Sequence, residues 1–193
     1  MAVAAMELRG DGLHIRGYVN VPGRRSRPVM TPRGRVVEVI EQGAFARAIA
    51  KAQDIKLMID HERTVASTKA GSLKLQEDEI GLRAEAVVTD GQAIEDARAG
   101  RMSGWSFGMR NAVDEMEERA DSLPIRHVKE LELSEVTITV KKSPVYTATM
   151  LEVRAGEETE MELRAEGCRF ELKDCGSNEE YKARLKSLEY KEG

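Results

Sequence analysis

Short segments in which apolar and polar residues alternate recur through the first 140 residues of this 193-residue chain. Because successive side chains of a β-strand point to opposite faces, this pattern predicts strands that bury one face. The strand-like segments are residues 13–21, 35–41, 55–61, 72–75, 82–88, 101–109 and 126–140. Two helices are also predicted, one over residues 43–52 and one that starts with a Thr89–Gln92 capping box and ends at Gly100. The count favours an α+β, mainly β or barrel-like domain.

The charge balance argues against nucleic acid or a membrane as partner. The chain has 30 Lys and Arg against 34 Asp and Glu, a net charge of −4, so no overall field draws it to polyanions. The basic loop over residues 24–35 has no interleaved aromatic residues, and we interpret it as a solvated loop. No stretch is long enough to span a bilayer, and the start lacks a signal-peptide pattern. We therefore expect a cytosolic protein whose partners are proteins.

The C-terminal part differs in composition from the rest of the chain. Its last forty residues are highly charged and include a helix-like segment at 178–190, which we interpret as a tail rather than as part of the core. The two cysteines of the chain, Cys168 and Cys175, are too few for a disulfide framework or a four-ligand zinc site. We expect them to be thiols and expect no metal.

Residues 104–108 read GWSFG and match the G-x-S-x-G pattern of nucleophilic serines in α/β-hydrolases. That motif requires an apolar parallel strand before the serine, a helix after it, and an acid and then a histidine later in the chain. Here the end of a helix precedes Ser106, and only His127 follows. An ordinary α/β-hydrolase is therefore the least favoured interpretation.

As a strand, the same segment has two different faces. Trp105, Phe107 and Met109 share one face, whereas Ser106 shares the other with Gly104 and Gly108. The bare serine face suits a nucleophile approached by an extended peptide. It equally suits a strand packed closely beneath a neighbouring element, and the residues alone leave both interpretations open.

A serine hydroxyl needs a base and an orienting acceptor to become a nucleophile. His61 is the best base, since it continues the inward face of its strand at the strand end. His14 has the opposite parity to its apolar neighbours Leu13 and Ile15, and His127 lies among charged residues. In the last long strand the apolar face changes parity at Ser134–Glu135, which predicts a β-bulge. Such a bulge would turn Glu135 towards His61. If the strand is instead buried on both faces, Glu135 is an edge charge.

The order of these features resembles the prohead (capsid maturation) proteases of tailed bacteriophages, relatives of the herpesvirus assemblins. The similarity extends from about Leu13 to about Glu152. It rests on VIEQGAFARAI, IDH, GSLKLQEDEIGLRAEAVV, RMSGWSFGMR and LSEVTITVKKSPVYTAT, in this order. The resemblance implies a closed β-barrel flanked by a few helices. It also implies a protease domain over residues 11–153, between a flexible N-terminus (1–10) and a charged, partly helical or disordered C-terminal tail (154–193).

The resemblance assigns roles to the residues of the site. It implies a serine endopeptidase with an acyl-enzyme mechanism and no cofactor, in which Ser106 is the nucleophile, His61 the general base and Glu135 the third member. Since assemblins use a second histidine in the third role, His127 remains an alternative there, and Ser103 is a weaker alternative nucleophile.

The chain departs from the family pattern mainly near its closing strand. Thr137 stands where serine is usual, Ser143–Tyr146 replaces a Pro-Ala-Tyr run, and Met109 stands where Phe is common. The oxyanion hole is not evident, although backbone amides near Gly108 or Arg110, or the Arg110 side chain, are candidate donors.

The resemblance also implies partners and a location. The substrates would be the scaffold protein or the major capsid protein, and the protease itself, cut inside the immature capsid in the host cytoplasm. A homo-oligomer is compatible with this role. The alternative function is a noncatalytic capsid-assembly or scaffolding module on the same fold.

Overall fold

A computed structural model describes residues 3–140, 151–152, 161–167 and 169–174 of the protein. The elements within these residues are, in chain order, β1 (Val3–Arg9), β2 (Gly12–Asn20), β3 (Val29–Thr31), β4 (Gly34–Ile40), α1 (Ala44–Lys51), β5 (Lys56–Ile59), β6 (Arg63–Ser67), β7 (Leu73–Glu77), β8 (Leu82–Val88), α2 (Gly91–Arg98), β9 (Gly104–Glu117), β10 (Ile125–Thr139), β11 (Leu151–Glu152), β12 (Met161–Gly167) and β13 (Arg169–Asp174). The predicted mainly β character is confirmed. The helix-like segment at 178–190, the loop at 143–146 and both cysteines lie outside the described residues. Neither of the described helices is long and apolar enough to cross a membrane.

The strands form two open sheets of mixed direction. One has the order β13-β1-β2-β8-β7 and the other β11-β12-β9-β10-β4-β3, with β5 added on β10 and β6 on β5. Parallel pairs join β1 to β13, and β10 to both β4 and β5. The prediction of a closed barrel is therefore wrong for the part of the chain that the structure describes.

The physical reason lies in the pairing of β10. Closure requires a continuous ring of paired strands with a constant register shift. One edge of β10 is instead divided, since its first residues pair with β4 and its last residues pair with β5. The sheet branches there and ends on separate edge strands. Alternation along the sequence predicts a strand and its faces but does not specify which edges meet.

A single hydrophobic cluster joins the two sheets and both helices. Phe45 of α1 packs edge-on against Phe107 of β9, with ring centroids 5.3 Å apart and an interplanar angle of 85°. Both side chains are buried, and burial of each contributes about 1.5–3 kcal/mol to stability. This contact fixes the position of α1 against the strand that carries Ser106.

The N-terminal ends of the two helices have different caps. Helix α1 begins after Gly43, which supplies no side-chain cap. The carboxylate of Glu77 in β7 accepts from the backbone N–H groups of Gly43 and Ala46, each at 2.7 Å, and so satisfies orphan donors of the first turn. Helix α2 is capped by Asp90, which accepts from Ala93 N–H at 2.7 Å. The predicted capping box from Thr89 is wrong by one residue.

Strands extend beyond the expected domain limits at both ends. Residues 3–9, expected to be flexible, form β1, which lies between β2 and β13 and buries Met6 and Leu8. Residues 161–167 and 169–174 of the expected tail form β12 and β13, one in each sheet. Strands from the two ends of the chain stabilise each other, and no local pattern reports such a pairing.

A buried charge cluster holds the first half of β10. Arg126 is 4% exposed, and its guanidinium lies 3.1 Å from Glu38 of β4 and 2.5 Å from Asp114 of β9. Burial alone would raise the pKa of Asp114, but hydrogen bonds from Arg33 and Arg126 lower it below its ordinary value of 3.8. A carboxyl with a lowered pKa stabilises the fold at neutral pH and loses this contribution as the pH falls through the folded value.

Gly81, in the turn of the β7–β8 hairpin, gives a test of the packing between β8 and β2. A Cβ there would lie 2.2 Å from the Asn20 carbonyl oxygen and 3.0 Å from Val21 Cα. Because both are backbone atoms, Gly81→Ala must separate the strands. We expect it to lower the free energy of unfolding by about 1–3 kcal/mol, measured by urea denaturation. The matched control is Gly91→Ala, where a Cβ meets nothing within 4 Å and should leave stability unchanged or raise it. Equal effects of the two substitutions would contradict the close approach.

Candidate active site

Ser106 lies near the start of β9, on a strand whose other face is anchored in the core. Trp105 and Phe107 are each 1% exposed and pair with Ile138 and Val136 of β10. The predicted apolar face of GWSFG is therefore confirmed, whereas Gly104 and Gly108 on the other face are buried as well. Ser106 is itself buried, at 1% exposure.

A β-bulge interrupts β10 at the predicted place. Leu133 pairs with Met109 and Glu135 pairs with Gly108, so two steps along β10 correspond to one step along β9. The additional residue is Ser134. Its insertion changes which side chains of β10 face the core, and Glu135 and the residues that follow it continue in the new parity.

The bulge also sets the register opposite Ser106. Thr137 is the direct cross-strand partner of Ser106, and partners in an antiparallel pair lie on the same face with Cα atoms about 5 Å apart. Glu135 has the same parity as Thr137. Ser106, Thr137 and Glu135 therefore share one face of two adjacent strands.

His61 reaches this face from a third strand. Strand β5 pairs in parallel with the last part of β10, with Met58 opposite Thr137. Directly after β5, Asp60 and His61 adopt left-handed backbone conformations, with φ of 51° and 63°. Residues other than glycine are held in this region only where their surroundings determine it.

Hydrogen bonds to β10 hold this left-handed turn. The Asp60 N–H donates to the Ile138 carbonyl at 3.0 Å, and the Asp60 carboxylate accepts from the Val140 N–H at 2.7 Å. The turn is thus tied by its backbone to β10 and by the Asp60 side chain to the residue that follows β10. It directs His61 back towards the strand.

The imidazole of His61 contacts two residues of β10. Its Nδ1 lies 2.6 Å from Glu135 Oε1 and 3.3 Å from Thr137 Oγ1. The side chains of His61 and Glu135 are 16% and 8% exposed, so water screens their contact little. When Nδ1 carries the proton and donates to the carboxylate, Nε2 keeps a lone pair that can accept a proton.

The structure thus places Ser106 and Glu135 on one face of β9 and β10, and His61, in the turn after β5, contacts Glu135 there. His61 and Glu135 are 74 residues apart in sequence and are in direct contact. Ser106 lies opposite Thr137, whose hydroxyl also contacts His61. Thr137 is fully buried and was identified from sequence only as a departure from a family pattern. Thr137 is two residues after Glu135 and therefore lies on the same face of β10, and this spacing is the sequence signal that could have placed Thr137 in the site.

The other candidates lie elsewhere. His127 pairs with Glu115 at the far end of β10, ten residues before Thr137 and so about 30 Å away. Its Nε2 contacts Glu117 at 3.1 Å. The Ser103 hydroxyl donates to the Thr139 carbonyl at 3.0 Å. The structure does not join His127 or Ser103 to the site, and the described residues contain no cluster of three or more metal-ligating side chains.

A serine on a strand, beside a histidine bound by a buried glutamate, is the residue set of a serine hydrolase. Comparison with protein families gives the particular assignment. The family model described as Caudovirus prohead serine protease matches residues 1–164, a range that contains all three of these residues. The chain belongs to this family of bacteriophage capsid-maturation serine proteases, as its sequence motifs predicted. No curated protein and no solved structure matches the chain.

The contact between Glu135 and His61 predicts a tautomer. We expect neutral His61 to carry its proton on Nδ1, because the Glu135 carboxylate can only accept there. The ¹⁵N shifts of the imidazole, assigned through a His61→Gln spectrum, should show this tautomer in the wild type. Glu135→Gln should abolish the preference.

Glu132→Gln is the control, since it changes an exposed carboxylate of the same strand and should leave the shifts unaltered. Wild-type His61 with its proton on Nε2 would contradict the contact.

Proposed function

We propose that the protein is a serine endopeptidase that forms an acyl-enzyme through Ser106. The observation that carries the proposal is the 2.6 Å contact between His61 Nδ1 and Glu135, made on the strand that pairs Thr137 with Ser106. The family membership supports the same chemistry.

In the proposed mechanism the Ser106 oxygen attacks the carbonyl carbon of a peptide bond. His61 Nε2 accepts the hydroxyl proton and then returns it to the leaving amine. Water attacks the resulting ester by the same route, with His61 again as base. Glu135 holds the tautomer and stabilises the imidazolium that forms, while Thr137 limits rotation of the ring from its second contact with Nδ1.

The oxyanion donors are proposed to come from β9 itself. Gly108 and Arg110 follow Ser106 on this strand, and Arg110 has the parity of Ser106. Donors in this position are worth about 3–4 kcal/mol of transition-state stabilisation when they are preorganised.

We propose that the substrates are the scaffold protein or the scaffolding part of the major capsid protein, and also the protease itself. Cleavage would occur inside the prohead, in the cytoplasm of the host bacterium. Self-association of the enzyme is compatible with this setting. The net charge of −4 agrees with protein partners rather than nucleic acid.

A noncatalytic assembly module is the second candidate function. The 1% exposure of Ser106 favours it, because a nucleophile must be accessible to its substrate. The family match and the His61–Glu135 contact favour the protease.

Co-expression with the cognate major capsid protein distinguishes these two functions. Intact mass spectrometry should show truncation of the capsid protein by the wild type and none by Ser106→Ala, because loss of such a serine lowers turnover about 10⁶-fold. Ser103→Ala is the matched control, a neighbouring serine outside the proposed triad, and should cleave like the wild type. Identical masses for the wild type and Ser106→Ala, with particles still assembling, would support the assembly module.

A further inference from the structure

Both edges of β9 are occupied at Ser106. On one edge Thr137 of β10 pairs with Ser106. On the other edge β12 runs antiparallel to β9 and places Ala165 opposite Ser106 and Leu163 opposite Gly108. The occupant of the second edge is thus a segment of the same chain, residues 161–167.

This arrangement conflicts with binding of a peptide in extended form. Such a peptide binds by adding as a strand, and its main chain then pairs with the edge beside the nucleophile. With β10 on one side and β12 on the other, β9 offers no free edge over residues 104–109. Ser106 is also only 1% exposed, so the site is closed to a peptide in this arrangement.

The two neighbours of β9 are not equally fixed. Strand β10 has 15 residues and pairs along both edges, with β9 on one side and with β4 and β5 on the other. Strand β12 has seven residues, and among the described residues its other edge pairs with β11 at Met161 and Glu162. Within the described residues, positions 163–167 are therefore held by a ladder on one side only. Of the described ladders, displacement of β12 breaks those with β9 and β11, whereas displacement of β10 breaks the longer ones with β9, β4 and β5.

We propose that β12 is an autoinhibitory strand that occupies the position of the substrate strand beside Ser106. Substrate binds to β9 only after residues 161–167 leave this edge. The proposal rests on the proposed protease function, and it predicts that the resting enzyme reacts slowly because only a small fraction of molecules has an open edge.

Proline substitutions in the full-length chain test this proposal. Successive N–H groups of a strand point to opposite edges, so only one of Arg164→Pro and Ala165→Pro removes a donor that faces β9. The other removes a donor on the edge where β12 has no described partner at that position, and it serves as the matched control. The readout is the rate at which a fluorophosphonate probe labels Ser106, followed by intact mass. Circular dichroism melts establish that each variant is folded.

We expect one of the two variants to be labelled at least about tenfold faster than the wild type, since the open fraction multiplies the apparent rate. Ala165→Gly, which weakens the strand without a steric clash, should increase the rate about twofold to fivefold. This variant keeps the test valid if a proline variant fails to fold. A synthetic peptide MELRAEG should slow labelling of the faster variant, whereas a scrambled peptide should not.

Different outcomes overturn different claims. If Ser106 is labelled at the same rate in the wild type and in every folded variant, β12 is a permanent part of the sheet and the autoinhibition is wrong, while the protease function stands. If the wild type is cut within residues 161–167 as fast as the capsid protein is cut, the strand is a substrate rather than an inhibitor. If no variant is labelled at all, the protease function fails together with the inference.

Discussion

The pairing of β10 with three other strands determines where every candidate residue of the site lies. Its backbone groups must find partners over 15 residues, and they do so with β9 on one edge and with β4 and β5 on the other. The β9 pairing brings Ser106 to Thr137. The β5 pairing brings the turn that carries His61 to the same point. Without this shared strand the three residues have no common position.

The two halves of β10 serve different purposes. The first half carries Arg126, buried between Glu38 and Asp114, and a buried arginine of this kind is strongly destabilising to leave unpaired. The second half, after the bulge at Ser134, carries Glu135 and Thr137. The bulge separates a structural segment from a segment that presents polar side chains, because one additional residue exchanges the two faces of a strand.

Two features of this sheet account for the position of His61 and for the closed edge beside Ser106. A left-handed turn at Asp60 and His61, tied to β10, holds the proposed base, His61, against Glu135. Strand β12, on the opposite edge of β9, closes the side from which a substrate strand would come. The contact between His61 and Glu135 is thus already formed, while the edge of β9 is covered by β12. Under our proposal, activation changes only the pairing of β12 with β9.

Much of this protein follows from its sequence alone. The alternation of apolar residues located the strands, the change of parity at Ser134–Glu135 located the bulge, and the order of motifs predicted the family that the comparison shows. Parity and this resemblance together predict Ser106, His61 and Glu135 as the residues of the site. Local patterns of this kind report periodicity and faces, because side-chain direction depends only on the backbone of the same segment.

The tertiary structure decided the features that depend on distant partners. It replaced the closed barrel by two open sheets, since the edge of β10 is divided between β4 and β5. It formed strands from residues 3–9, within the N-terminus that we expected to be flexible, and from residues 161–167 and 169–174, within the charged C-terminal tail that we expected to be partly helical or disordered. It also placed Thr137 beside His61, separated His127 from the site, and set residues 161–167 against Ser106. Hydrogen bonding between strand edges is not encoded in the period of any one strand, so only the assembled fold determines which edges are paired and which residues they bring together.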